Sequence, residues 1–248
     1  MNRKHGFRWL FLVLALISPA AGAQTLDEVL AKHTAAHGGL EKWRAVNSLI
    51  VTGTEMTFSN PAPFTFEWRR PDSFLLEQTM MGNKITYAHD GSTTWWIHPL
   101  LEIAQPAAVP ETHTSVVRRA VEFESSLVDA TAKGNKVELL GKEELDGQPT
   151  FKLKVTRKDG SEETWYLDTT TFLEVARFDR TLDLPSIHDR WTYYSDFRAV
   201  DGLVIAHRQD QEFMIRHVSL TVEKVRVNPE IDPERFKFKA AAPAPAKP

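Results

Sequence analysis

Two histidines on one predicted helix have the spacing in this chain that best suits metal chemistry. His33 and His37 are four residues apart, so they lie on one helix face, as two zinc ligands often do. The intervening residues, 34–36, lack the glutamate of a zinc-protease helix, and the sequence indicates no third ligand. Both histidines also fall on the apolar stripe of the helix. We therefore interpret them as hydrogen-bonded core residues and predict no metal site; a metal-dependent hydrolase using both is the less favoured alternative.

Other catalytic patterns are missing from the sequence. No serine has the glycine-flanked pattern of a nucleophile elbow, and no glycine-rich phosphate loop occurs. The chain contains no cysteine, which excludes cysteine catalysis, disulfides and thiolate metal sites. Paired carboxylates such as Glu162-Glu163 lie near strand ends, where a solvated face is usual. We predict a protein that is not an enzyme and needs no cofactor.

An arginine at the end of an aromatic row is the second notable feature. Phe64, Phe66, Trp68 and Arg70 share one face of a predicted strand, while Arg69 faces the other way. A buried guanidinium must be paired, hydrated or bound to an anion, because its desolvation is costly. Such an aromatic row is most often ordinary core, and from the residues alone the two arginines are equally compatible with a solvated rim pair.

The N-terminal residues have the composition of an export signal. Three basic residues precede an apolar run, 9–17, and a small-residue cleavage site ends at Ala23. The run is shorter than the roughly 20 apolar residues of a membrane-spanning helix. We expect a signal peptide over 1–23, cleavage after Ala23, and a mature protein that is soluble and exported.

Composition limits the number of domains and the kind of partner. No linker-like stretch interrupts residues 24–239, which we predict to form a single domain, and 240–248 alternate alanine and proline as a disordered tail does. The chain has 30 basic and 33 acidic residues, and three of the basic ones belong to the signal segment. The resulting negative charge disfavours nucleic acid as a partner.

Local signals place a helix first and strands after it. Thr25 and Glu28 form a capping box, Gly38-Gly39 ends the helix, and a second short helix follows over 40–46. From there to Val227 the period is two, which predicts about a dozen strands joined by Asp-Gly and similar turns. One further helix is predicted over 114–127, after a loop.

So few helices cover only part of so large a sheet. A single antiparallel sheet of this size curls, and its concave face would retain unfilled apolar space. We predict a mainly β (α+β) fold: a large curled antiparallel sheet that forms a half-barrel with a helical lid. A sandwich of two sheets that fill each other is the alternative.

Two short motifs lie close together between Trp68 and Pro99. The first is Arg69-Arg70-Pro71-Asp72 followed by Phe74. The second is Asp90-Gly91 followed by Trp95 or Trp96 and then by Pro99. A long break over 100–127 follows the two motifs, and the phenylalanine-rich end at 235–238 is interpreted as a last strand. Together these features resemble the LolA-like family of outer-membrane lipoprotein-sorting proteins, the lipoprotein carriers. The resemblance is specific over some thirty residues.

The resemblance implies a function in lipid transport. It implies a periplasmic, monomeric carrier whose hydrophobic cavity receives the acyl chains of lipoproteins or other lipids. An inner-membrane donor protein and an outer-membrane acceptor protein are possible partners. Arg70, beside Pro71, would be the gate residue that controls opening of the lid. The candidate cavity-lining residues are Phe64, Phe66, Trp68, Leu76, Trp95 and Trp96, of which the two adjacent tryptophans face opposite ways.

Two segments depart from the family pattern. Residues 33–40, with their Gly-Gly pair, resemble a broader set of LolA-like envelope proteins, and 136–227 are longer and have no close motif match. An envelope interaction or binding module of LolA-like fold, without lipoprotein transfer, therefore remains an alternative function.

Overall fold

The computed structural model describes residues 24–120, 122–183 and 186–240 of the chain. The predicted signal peptide, and the predicted tail apart from Ala240, lie outside these described residues. Within the described ranges, no helix is both long and apolar enough to cross a membrane.

The described residues contain three α-helices: α1 (Leu26–Ala36), α2 (Leu40–Arg44) and α3 (Glu111–Ala120). The predicted capping box starts α1, because Thr25 Oγ1 accepts from the Glu28 amide and Glu28 Oε2 accepts from the Thr25 amide. Gly38 then ends the helix at φ 99°. A Cβ atom at this position would lie 2.1 Å from the carbonyl oxygen of Gly202, so only glycine fits here.

Thirteen strands follow α2, interrupted by α3. They are β1 (Ser48–Thr57), β2 (Asn60–Arg69), β3 (Ser73–Met80), β4 (Asn83–Asp90), β5 (Thr94–His98), β6 (Ile103–Ala108), β7 (Lys136–Leu145), β8 (Gln148–Thr156), β9 (Glu162–Asp168), β10 (Glu174–Asp183), β11 (Ser186–Val200), β12 (Leu203–Phe213) and β13 (Arg216–Val227).

All thirteen strands belong to one antiparallel sheet, in the order β6-β5-β4-β3-β2-β1-β13-β12-β11-β10-β9-β8-β7. The sheet curls into a half-barrel that does not close, so β6 and β7 are its edges. The predicted fold class is confirmed, and the two-sheet sandwich is wrong because a single ladder runs through every strand. The central β1–β13 pairing brings the first strand beside the last, which joins the two halves of the sheet.

Three local predictions differ from the structure. The third helix begins at Glu111, directly after Pro110, instead of Thr114, and it ends at Ala120. The preceding segment, expected to be a loop, contains β6, an edge strand that tolerates Pro106 because one side of it needs no partner. The predicted last strand at 235–238 is instead a 3-10 turn over Pro233–Phe236, which the Asp232 side chain caps.

Buried apolar residues form three clusters on the two faces of the sheet. The first, which we call the lid core, joins β1, β2, β3, β5, β12 and β13 to Trp43 of α2 and Val117 of α3. The second packs Val29 of α1 against β8 and β9. The third, which we call the outer cluster, lies on the opposite face of β1 and β3–β5, where Ile231 and Phe236 of the C-terminal segment cover it.

Candidate functional site

The turn between β2 and β3 places Arg70 against the helices. Its Nε donates to the carbonyl oxygen of Val46 at 2.7 Å, and its Nη2 donates to the carbonyl oxygen of Trp43 at 3.2 Å. The guanidinium carbon also lies 5.2 Å from the ring centre of Trp68, at the end of the aromatic row. Arg70 therefore binds the C-terminal end of α2 and the residues that follow it.

The same guanidinium forms an ion pair with the segment that follows α3. Arg70 Nη2 lies 2.7 Å from Oε1 of Glu124, and Lys133 Nζ lies 2.9 Å from Oε2 of the same carboxylate. Glu124 is mostly buried, so each of its oxygens faces a cation in a partly desolvated setting. The guanidinium is thus paired rather than simply solvated, while Arg69 is exposed. We call α3 and residues 122–127 the lid.

A second ion pair joins the same turn to the lid. Arg118 of α3 donates to the carboxylate of Asp72, and His89 Nε2 lies 3.6 Å from that carboxylate. These two basic neighbours, His89 and Arg118, hold the pKa of Asp72 below its usual range. The turn that contains Arg70 and Asp72 therefore contacts the lid at two points.

Two further ion pairs hold the lid to the other half of the sheet. Arg119 Nη1 lies 2.7 Å from Asp159 Oδ2, in the turn between β8 and β9. Arg157 binds Glu122 of the lid and also Glu163, whose Oε1 is 2.9 Å from Arg157 Nη1. The lid consequently bridges the half-barrel and is paired at both sides.

The aromatic residues expected to line a cavity fall into two groups. Phe64, Phe66 and Trp96 are buried in the lid core, and Trp68 and Leu76 pack against it while partly exposed. Trp95 is separate from these five, because it lies in the outer cluster and donates through Nε1 to the carbonyl oxygen of Phe236 at 2.8 Å. Side chains alternate along β5, so only Trp96 faces the lid. Trp95 is therefore removed from the residues predicted to line the cavity.

The space between lid and sheet is largely filled. A cavity of about 190 Å³ lies beside Arg70, lined by residues of α2, Glu124 and the segment after the lid. This volume is below the roughly 300–1,000 Å³ of typical ligand pockets. Large side chains of the lid core, among them Trp43, Phe66 and Trp96, occupy the interior that the sequence predicted to be open. In this structure the lid therefore packs directly on the lid core.

The two helical histidines meet a buried carboxylate. His33 Nε2 lies 3.0 Å from Glu174 Oε1, and His37 Nε2 lies 2.7 Å from Glu174 Oε2. His37 Nδ1 also lies 2.7 Å from the carbonyl oxygen of Val204 on β12. The sequence did not reveal Glu174, which follows His37 by 137 residues and lies in no recognisable motif. The cluster attaches α1 to β10 and β12.

Hydrogen-bond geometry and the ionised carboxylate of Glu174 together indicate a positive species in this cluster. His37 Nδ1 can only donate to the Val204 carbonyl, so a neutral ring would direct the lone pair of Nε2 at the carboxylate. Burial would lower the pKa of His37, but Glu174 outweighs it and raises that pKa. Burial likewise opposes ionisation of Glu174, yet His33 and His37 hold its pKa well below the usual range. An imidazolium–carboxylate pair satisfies these contacts, and a metal ion is the other species that would.

Comparison with solved structures shows the fold. The chain matches no family model and no curated protein. It superposes on a putative outer membrane lipoprotein-sorting protein domain from Vibrio parahaemolyticus with a TM-score of 0.57 and 12% identity, over 84% of this chain and 94% of that one. A LolA superfamily protein from Nitrosomonas europaea gives a TM-score of 0.56 and 12% identity, over 87% and 98% of the two chains. A DUF1329 family protein from Desulfovibrio piger gives 0.55 and 11% identity, over 85% and 96%. The LolA-like fold predicted from the motifs is confirmed.

Proposed function

We propose that this chain is a periplasmic carrier that binds acyl chains of lipoproteins or other lipids beneath its lid. The observation that carries the proposal is the Arg70–Glu124 ion pair, which fastens the lid over an aromatic-rich apolar core. The structure of the Vibrio parahaemolyticus domain, whose name refers to lipoprotein sorting, supports the same kind of function. In this proposal the chain is a monomer that performs no chemistry and uses no cofactor.

Binding requires that the lid move away from the sheet. Val117 of α3 and Phe123 pack on the lid core, so their displacement would expose Phe64, Phe66 and Trp96 to an incoming chain. Each buried methylene contributes about 0.8 kcal/mol, so one long acyl chain supplies on the order of 10 kcal/mol before ordering costs. Partly exposed ion pairs such as Arg118–Asp72 contribute about 0–1 kcal/mol each. The cargo is therefore able to offset the loss of the lid contacts.

Arg70 is the residue that we assign to the gate. Its three contacts join the β2–β3 turn to α2 and to the lid through one side chain that is itself about a third exposed. Release of cargo would again require the lid to open. Water and the lid would then compete for hydrogen bonds from the Arg70 guanidinium. An inner-membrane donor and an outer-membrane acceptor would be the partners that open the lid in turn.

The test begins with the lipid that the protein carries from the cell. The mature chain is purified from periplasm without detergent, extracted into organic solvent and examined by mass spectrometry, and a fluorescent fatty acid is then titrated into the delipidated protein. We expect co-purified acyl lipid and saturable binding of one to a few molecules per chain. Protein that carries no lipid and binds no fatty acid would contradict the proposal.

An envelope binding module that holds lipid without transferring it is separated from a carrier by a transfer assay. Labelled lipid is loaded onto the protein, which is mixed with unlabelled vesicles. A carrier releases its lipid to the vesicles, whereas a binding module retains it.

A metal-dependent hydrolase is the second candidate, and one specific observation favours it. Ligand atoms of His33, His37 and Glu174 all lie within 4.8 Å of one another, as the ligands of a buried metal ion do. Elemental analysis of protein prepared without a histidine tag decides between the candidates. Zinc near one equivalent per chain, lost in Glu174→Gln, would support the hydrolase, while zinc far below one equivalent would remove it.

A further inference from the structure

The large apolar side chains that are exposed in the described residues are concentrated at one end of the sheet. Eight of the nine lie in turns or strand ends at that end, and the exception is Leu140 in β7. The eight are Met56, Phe58, Met81, Leu100, Leu101, Ile187, Met214 and Ile215. We call them the apolar rim.

The strand order makes the rim continuous. The residues belong to the turns β1–β2, β3–β4 and β12–β13, the residues after β5, and the start of β11, which are all at the same end of neighbouring strands. The first three turns are two strands apart, so their tips are spaced by about 10 Å. A groove of about 310 Å³ runs between the β1–β2 and β12–β13 tips, lined by Met56, Phe58 and Ile215 among others.

The three turn tips have apolar residues at positions where glycine, asparagine or aspartate is usual. Phe58, Met81 and Met214 have positive φ values of 48°, 50° and 53°, a region that glycine, asparagine and aspartate normally occupy. At the opposite end of the sheet, the turns β7–β8 and β11–β12 use Asp146 and Asp201 at the corresponding conformation. Local conformational preference therefore does not explain why apolar residues occupy these turns. Residues that depart from this preference point to a function.

Exposure of the tips is high. Ile215 is 89% exposed, Met81 72%, Met214 67% and Phe58 60%. These side chains contribute little to the core of the free protein, so they are available to another apolar surface.

Charge around the tips indicates which surface that is. The turn residues 58–59, 81–82 and 214–215 carry no charge. The charges nearest to them are mixed, because Lys84 is paired with Glu77 at 2.6 Å and Glu55, Glu102 and Glu212 also lie next to the rim. The guanidinium of Arg216 lies 5.8 Å from the ring centre of Phe58 and so links two of the tips. Uncharged apolar tips suit insertion into the apolar part of a bilayer, below the headgroups. Separate tips with adaptable methionines suit a fluid lipid surface, which requires no shape complementarity.

We propose that the apolar rim docks this protein on a lipid bilayer, with Phe58, Met81 and Ile215 inserted among the acyl chains. The rim lies at the end of β1–β4 opposite the turn that holds Arg70, so docking leaves the Arg70–Glu124 contact uncovered. The proposal goes beyond carriage of acyl chains, because a protein without cargo would dock equally well.

The experiment is co-sedimentation of the mature, delipidated protein with protein-free vesicles. One set contains phosphatidylethanolamine and phosphatidylglycerol, and the other contains phosphatidylcholine alone. The triple variant Phe58→Ser, Met81→Ser, Ile215→Ser is compared with Leu140→Ser, which removes an apolar residue that is 54% exposed and lies away from the rim. Circular dichroism and thermal melting verify that both variants are folded.

We expect the wild-type protein and Leu140→Ser to bind both sets of vesicles, and the triple variant to bind at least tenfold more weakly. Absence of vesicle binding by the wild type, equal binding by the triple variant, or wild-type binding to the anionic vesicles alone would overturn the proposal. Fatty-acid binding is measured separately in the triple variant, and its persistence would show that loss of docking is independent of the acyl-chain site.

Discussion

Arg70 Nη2 lies 2.7 Å from Oε1 of Glu124, and this contact joins the turn after the aromatic strand to the lid. The two residues are separated by 54 positions along the chain and come together only because α3 crosses the half-barrel. Since the guanidinium also donates to two backbone carbonyls beside α2, its loss affects both helices that cover the lid core.

Substitution Arg70→Ala should loosen the lid. It removes one of the two cations on Glu124 and three hydrogen bonds, which we expect to lower the free energy of unfolding by about 1–3 kcal/mol. Fluorescent fatty acid should enter the delipidated variant faster in stopped-flow measurements. Arg69→Ala is the matched control, because Arg69 is exposed and faces away; equal entry rates for the two variants would argue against a gate at Arg70.

The His37–Glu174 pair should make stability depend on pH. The raised pKa of His37 means that its contribution is complete below about 6.5 and is lost as the pH rises through the folded-state value. The depressed pKa of Glu174 means that its contribution is complete above about 4.5 and is lost only as the pH falls well below that. Urea unfolding in EDTA should therefore show a decreasing free energy of unfolding from pH 6 to pH 9. Glu174→Gln should remove this slope, whereas Glu143→Gln, at an exposed pair with Lys152, should retain it.

The C-terminal segment should be part of the folded unit. Phe236 is 1% exposed in the outer cluster, and Arg235 forms two hydrogen bonds of 2.7 Å with the buried carboxylate of Glu67. Phe236→Ala should lower the free energy of unfolding by about 3–5 kcal/mol. Phe58→Ala, at an exposed turn, should change it by less than about 0.5 kcal/mol. Similar values for both would show that the segment does not pack as described.

Two adjacent glycines should respond differently to alanine. Both have positive φ, so each substitution costs about 1–2 kcal/mol of backbone strain. Gly38→Ala additionally places a Cβ 2.1 Å from the Gly202 carbonyl oxygen, while Gly39→Ala meets open space. Thermal melting should show a clearly larger decrease for Gly38→Ala, and a decrease of equal size would contradict the close contact between Gly38 and the β11–β12 turn.

Local signals were sufficient for much of the fold. The capping box at Thr25, the Asp-Gly turns and the alternation of apolar residues predicted the first helix and most strands, because each depends on residues close in sequence. The edge strand β6 was missed because it is short, contains Pro106 and gains its hydrogen bonds from one neighbour only. The filled interior was also missed, since the packing of Trp43 and Trp96 beneath the lid is a tertiary property.

The candidate site was predictable only in part. Arg70 was identified from its place beside Pro71 in a motif, but its partner Glu124 and the second pair, Asp72–Arg118, depend on where the lid crosses the sheet. Glu174 was likewise invisible, because one glutamate at the start of a strand has no pattern that links it to two distant histidines. Single residues within motifs are readable from sequence, whereas their long-range partners are not.

Photo-crosslinking of a bound fatty acid tests the central claim most directly. A fatty acid with a photoreactive group near its methyl end is added to the delipidated mature chain, irradiated, and the modified peptides are identified by mass spectrometry. The account predicts adducts on the lid-core strands, at or next to Phe64, Phe66 and Trp96, that unlabelled fatty acid suppresses. No adducts, or adducts confined to the apolar rim and the outer cluster, would contradict an acyl-chain site beneath the lid.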